Sequence, residues 1–335
     1  MNRTVSFRGL RASMLVSVLA LAACSHNAVV PSPSAKAPVI YTALGASDAV
    51  GYNASVPCAN PPFIAVPTCP GGTGYVPVLA KTLAANGAVV TLNDRGISGA
   101  VIGPDIAATG NLYGSQGSPA PCMPRTGNDV IPGDFITNEL PSIAGNETLV
   151  TIFAGGNDTN AIVNAAVCLG LGGASNTAIQ QFLAAQIKAF GNDFLNLVNA
   201  IHAKAPGAVI VVANLPNFAG IPIAQNPQVA PAKPLLQAVS VGIDTNVYQP
   251  AAASGIPTVD LLCDPRSYAQ QSFFPGPLAD GFHPNDVGYA SFAAAFAAQI
   301  AARPPVLPLA TCPQMSLAFS ARQPLLAPIP NFERR

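Results

Sequence analysis

Apolar positions along this chain fall into two kinds of run that alternate. Mostly apolar stretches at 39–44, 88–92, 148–154, 208–213 and 257–261 predict buried strands, since a doubly covered strand needs no polar alternation. Between them, longer stretches with helical spacing predict helices over 75–85, 135–144, 177–203, 234–253 and 286–302. Pro206-Gly207 closes the third helix and Pro257 follows the fourth, as stop signals should. Strands alternating with helices predict an α/β fold, a three-layer α/β/α sandwich around a five-stranded parallel sheet.

Two loops are too long to be simple connections. Residues 52–73 and 111–132 are rich in Gly, Pro and Asn, and both leave what would be the carboxyl edge of the sheet. Long loops at that edge are expected to wall a functional cleft.

The ends of the chain suggest export. Arg3, Arg8 and Arg11 precede an apolar run at 14–23 that is too short to span a bilayer, the pattern of a secretory signal peptide over 1–23. Leu21-Ala22-Ala23-Cys24 resembles the bacterial lipobox, which implies that Cys24 is lipidated, with palmitate among its acyl chains, and holds the protein to a membrane. The competing reading is an ordinary cleavage site closed by Ala23, with Cys24 an incidental thiol. Ser25 follows in place of an aspartate, which favours the outer membrane in an organism that has one. Residues 24–38 are then the lipidated cysteine and a flexible tether, 39–302 the folded domain and 303–335 a proline-rich extension, with no internal repeat. The expected location is the bacterial cell envelope.

Charge narrows the partners. Taking the three leader arginines from 15 basic residues leaves 12 against 15 acidic, and charged residues are only 9% of the chain, so there is no nucleic-acid footprint. Setting Cys24 aside leaves six cysteines, an even number that suits disulfides in an oxidising compartment. Cys58 with Cys69 brackets one insertion. Cys122 with Cys168 and Cys263 with Cys312 would fasten the mid-chain loops and the tail. No two cysteines lie two to four residues apart and there are three histidines in all, which argues against a zinc cage. No cofactor is expected, and the sequence leaves the oligomeric state open.

Three short segments carry chemistry. Gly45-Ala46-Ser47-Asp48 ends the first predicted strand and places Ser47 at the sheet edge where ligands bind. Gly156-Asn157-Asp158 supplies a side-chain amide. Asp280-Gly281-Phe282-His283-Pro284 puts a carboxylate three residues before a histidine, close enough to set the imidazole tautomer. Taken singly, each has a plain alternative: Ser47 as a helix cap, Asn157-Asp158 as a turn, His283 as a loop residue. His26 lies in the tether and His202 in the last turn of a helix, which leaves His283 as the candidate base.

From about residue 39 to about 302 the chain resembles the SGNH (GDSL-type) hydrolases. Their Gly-Asp-Ser nucleophile motif is matched by Gly45-Ala46-Ser47, with Ala46 in place of the usual aspartate. The resemblance implies a flavodoxin-like sandwich and a serine esterase working through an acyl-enzyme. It also implies Ser47, Asp280 and His283 as triad, and the Ser47 and Gly99 backbone N–H groups with the Asn157 amide as oxyanion hole. Gly96 is the alternative to Gly99. Gly-x-Ser-x-Gly, the α/β-hydrolase pattern, is missing because Ala49 follows Ser47 by two. The expected substrate is a carboxylic ester, whether lipid, acylated glycan or a related small ester. Two other readings stay open: an acyltransferase using the same triad, and a non-catalytic envelope-binding lipoprotein.

Overall fold

Strand β1, Val39–Gly45, is buried over its last five residues, as an apolar run in a doubly covered sheet must be. The computed structural model describes residues 38–60, 64–113, 122–127, 130–264, 273–275 and 280–319; Cys24 and the tether lie outside them. Two short strands, β2 (Ala59–Asn60) and β3 (Ile64–Ala65), pair antiparallel in the first long loop. Strands β4 (Val90–Asp94), β5 (Leu149–Phe153), β6 (Val209–Ala213) and β7 (Thr258–Val259) join β1 in one sheet of order β4-β1-β5-β6-β7. All its pairings are parallel. The order reverses at β1, so the carboxyl end of β1 opens on the crevice where doubly wound sheets bind ligands.

Among the described residues eight α-helices surround the sheet: α1 (Ser47–Val50), α2 (Tyr75–Ala85), α3 (Pro104–Tyr113), α4 (Gly156–Leu171), α5 (Asn176–Lys204), α6 (Lys233–Ile243), α7 (Gln249–Ala253) and α8 (Asp286–Ala301). Helix α2 packs on α8, while α3, α4, α5 and α6 pack on one another, forming the two outer layers of the expected α/β/α sandwich.

Several elements depart from the sequence pattern. Helix α4 was not predicted because every residue from Asp158 to Cys168 is buried; a helix covered all round has no amphipathic period to detect. Helix α3 takes the start of what the pattern gave as a loop. The predicted helix at 135–144 is instead one π turn, Phe135–Glu139, followed by a 3₁₀ turn, Leu140–Ser142, because Pro141 has no N–H to continue a ladder. The predicted helix at 234–253 widens into a π turn at Asp244–Tyr248 before α7, just where Pro250 removes the donor due to residue 246. The buried Asp244 carboxylate accepts from the Leu215 N–H there, at 2.9 Å.

All three expected disulfides form: Cys58–Cys69, Cys122–Cys168 and Cys263–Cys312. The last ties the extension to the segment after β7. On either side of Cys312, Leu309 N–H donates to Asp260 and Leu317 N–H to Gln237, both at 2.9 Å, so the described part of the extension is laid against the domain.

Candidate active site

Strand β1 ends at Gly45, and the chain turns there into α1 with Ser47 as its first residue. The turn needs glycine, since a Cβ at Gly45 would sit 2.8 Å from the Ala49 Cβ. Ser47 is therefore held by a buried strand behind it and a one-turn helix ahead of it.

The segment after residue 280 builds the second half. One Asp280 oxygen, Oδ1, accepts the N–H groups of Phe282 and His283 at 2.8 and 2.9 Å, folding the loop back on itself. The other, Oδ2, lies 2.6 Å from His283 Nδ1. Asn285 then caps α8, accepting from the N–H groups of Val287 and Gly288, which is the signal the sequence carries for a helix start. His283 Nε2 lies 2.9 Å from Ser47 Oγ. The ring has no solvent exposure. Burial would raise the Asp280 carboxyl, but the hydrogen bond and charge of the His283 ring and the two backbone donors outweigh it and hold the group below the usual carboxylate range. An ionised Asp280 accepts a hydrogen bond from His283 Nδ1–H, and that leaves Nε2 as acceptor for the serine hydroxyl.

Two more segments close on the same place. Gly155 stands at φ +112, where a Cβ would strike Leu215, and from it α4 starts with Asn157 in its first turn. The Asn157 amide donates to the Ala100 carbonyl at 2.9 Å. Asp158 Oδ1 accepts from the Ile102 N–H at the same distance. The loop after β4 is thus fastened to the start of α4 on both sides of Val101. Gly99, at φ +86, lies in that loop next to Ala100. Of the two glycines considered for an oxyanion donor, Gly96 already donates its N–H to Asp94 Oδ1 at 3.1 Å; Gly99 is the better candidate.

Supporting residues come from places the motifs did not mark. The Tyr52 ring packs on the His283 ring with centroids 4.5 Å apart, and the Tyr289 hydroxyl donates to the Tyr52 carbonyl at 2.6 Å. The Ser55 and Thr73 side chains both donate to Asp286 in the first turn of α8. Asn53 and Glu139, also unmarked, bond to backbone groups of the His283 and Ser47 segments. The only hint was compositional: in so weakly charged a chain, Glu139 falls between Ile136 and Leu140, where a carboxyl has no solvent-facing pattern to belong to.

Three carboxyls behind the site are almost fully buried. Burial pushes Asp94 up to about 8 and Asp158 up to about 7, against the opposing pull of backbone N–H groups, and it pushes Glu139 well above the carboxylate range. Among the described residues no group of three or more His, Cys, Asp or Glu side chains is arranged to hold a metal ion.

The family model described as GDSL-like Lipase/Acylhydrolase matches residues 43–291. No curated protein sequence matches the chain. Among solved structures, the extracellular lipase of Streptomyces rimosus is similar at 17% identity and TM-score 0.47, over 77% of this chain and 99% of that one. The lipase Lip_vut3 from a goat rumen metagenome is similar at 13% identity and TM-score 0.48, over 78% and 96%. Phospholipase A1 of Streptomyces albidoflavus is similar at 17% identity and TM-score 0.41, over 77% and 98%.

Proposed function

Because the chain belongs to the GDSL-like lipase/acylhydrolase family and is a carboxylic-ester hydrolase, we propose that its reaction runs through an acyl-enzyme on Ser47. The observation that carries this reading is the continuous chain from Ser47 Oγ through the His283 ring to Asp280, with contacts of 2.9 and 2.6 Å. His283 Nε2 takes the hydroxyl proton as Ser47 Oγ attacks the ester carbonyl, then returns it to the departing alcohol. Asp280 fixes the tautomer and stabilises the imidazolium that forms between those two steps. Negative charge on the carbonyl oxygen is met by the N–H groups of Ser47 and Gly99 and by the Asn157 amide, whose second N–H remains to point at substrate while the first is held by Ala100. Water, bound where the alcohol left, gives a proton to His283 as its oxygen attacks the acyl carbonyl, and His283 returns that proton to Ser47 Oγ as the acyl–serine bond breaks and the acid departs.

The substrate on this reading is an ester of a lipid or an acylated glycan. Residues 39–302 are the hydrolase domain. We further propose that it works in the bacterial cell envelope, tethered through a lipid on Cys24 after removal of 1–23, with 303–335 as an extension fastened by Cys312. The lipobox-like Leu21-Ala22-Ala23-Cys24 and the Pro- and Ser-rich stretch after it support this.

The test is covalent. A fluorophosphonate should label the purified protein at Ser47, and Ser47→Ala should lose both labelling and hydrolysis of a p-nitrophenyl ester. Labelling or turnover that persists in Ser47→Ala rules the reading out.

A further inference from the structure

We propose that Glu139 is a positioning residue for acyl transfer: its side chain holds the Gly45 N–H and so sets the turn carrying Ser47 against the loop carrying Gly99. This rests on Ser47 being the nucleophile.

The ladder between β1 and β4 runs in register as far as Ala43 with Asp94. Beyond it the Gly45 carbonyl still accepts from the Ile97 N–H at 3.0 Å. Its N–H, which a continued ladder would give to a strand carbonyl, goes instead to Glu139 Oε2 at 2.9 Å. A side-chain oxygen stands in for a strand, two residues before Ser47.

That oxygen is itself anchored to the second loop. Just before the π turn that ends in Glu139, the Gly133 carbonyl accepts from the Val101 N–H at 3.2 Å, and the Phe135 N–H donates to the Val101 carbonyl at 3.0 Å. Asp134 caps the turn by accepting from the Thr137 N–H at 2.7 Å. Val101 lies two residues beyond Gly99. One side chain therefore joins the backbone of the serine turn to a segment paired with the loop that bears the other backbone donor.

The chain itself lacks an alternative at that point. Where the family motif has an aspartate before the serine, this protein has Ala46, and the carboxyl beside the turn comes from Glu139. At 1% exposure Glu139 is sealed from solvent, and its Oε1 has no hydrogen-bond partner among the described residues; it is placed to hold backbone, not to exchange protons with substrate. Burial pushes its carboxyl well above the usual carboxylate range, and glutamine keeps an acceptor oxygen on a side chain of the same length for the Gly45 N–H. Removing the acceptor leaves a buried N–H unmatched, and the turn then relaxes. Two N–H groups aimed at one developing oxyanion tolerate little such drift.

Four measurements decide it: kcat and KM on p-nitrophenyl acetate, affinity for a phenylboronic acid that mimics the tetrahedral adduct, and melting temperature. Glu139→Leu should lower kcat roughly ten- to a hundredfold and weaken the boronate in step, with KM little changed. Glu139→Gln should restore most of both. Leu236→Ala, a buried change in α6, should lower the melting temperature and leave kcat alone. Should Glu139→Leu fail to fold, Glu139→Asp, one methylene shorter, carries the same test. Unchanged kcat and boronate affinity in the leucine or aspartate variant would overturn the proposal, as would a glutamine variant no better than leucine. Turnover surviving in Ser47→Ala would instead overturn the reading on which it rests.

Discussion

Asn53 and His283 stand 230 positions apart in the chain, yet the Asn53 side-chain amide donates to the His283 main-chain carbonyl at 2.8 Å. Asn53 is also buried and at φ +68, in the left-handed region that few residues other than glycine adopt. The chain that leaves the serine turn thus reaches across and grips the segment that carries the imidazole.

Two substitutions separate the backbone role of Asn53 from its bond. Asn53→Gly keeps the conformation and loses only the amide, so kcat should fall by about tenfold with KM nearly constant, as expected of a small loss of alignment. Asn53→Ala should show the same kinetic loss and an added destabilisation of about 1 kcal/mol for the left-handed Cβ. Steady-state kinetics beside denaturant unfolding would check both, and a glycine variant with wild-type kcat would show that the bond does not orient His283.

Within the Asp280–His283 pair, losses should not add. His283→Ala removes the base and should reach nearly the floor set by Ser47→Ala. Asp280→Asn can still accept the two loop N–H groups, but its amide N–H₂ would face His283 Nδ1 and favour the tautomer with the proton on Nε2, pointing at Ser47. A large but smaller loss is expected, with the double variant no worse than His283→Ala. Single-turnover release of p-nitrophenol measures it. Full activity in His283→Ala would mean that another base serves Ser47.

Stability should depend on pH through the buried carboxyls. Asp94 titrates at about 8 in the fold against 3.8 as its ordinary value; between those values the folded state binds more protons than the unfolded one. Its contribution is therefore complete below the ordinary value and lost as pH rises toward about 8. Melting temperatures taken from pH 5 to 9 should decline with pH, and Asp94→Asn should flatten the decline. A curve unchanged by that substitution would show that Asp94 ionises in the fold much as it does in the open chain.

The proposed anchor predicts a clean separation of location from chemistry. Cys24→Ala should move the protein from the membrane fraction to the soluble one and leave kcat on a soluble ester unchanged, since the anchor precedes the domain by a tether. Continued sedimentation of the variant with membranes would refute lipidation at that position.

What the sequence determined by itself was whatever is written locally. Apolar runs marked all five sheet strands, the inner ones because burial on both faces is a property of consecutive residues; β4, a partly exposed edge strand, was shifted and starts at Val90. Ser47 after a buried strand, Asn157 after Gly155-Gly156, and Asp280 three residues before His283 are short patterns whose chemistry is carried by residue type and spacing. The pair Cys58–Cys69 followed from the insertion it brackets and an even count, while the partners of the other four cysteines were decided by the fold. Tertiary structure decided what depends on surroundings. Helix α4 is legible only once the layers that cover it are in place, and the hold of Asp94 on the Gly96 N–H is a contact only the folded loop shows. Asn53 carries no local signature and Glu139 no more than a compositional hint, because each acts on a backbone group that folding brings to it from a distant part of the chain; their partners are atoms every residue possesses, and only the packed sheet edge selects which of them are met.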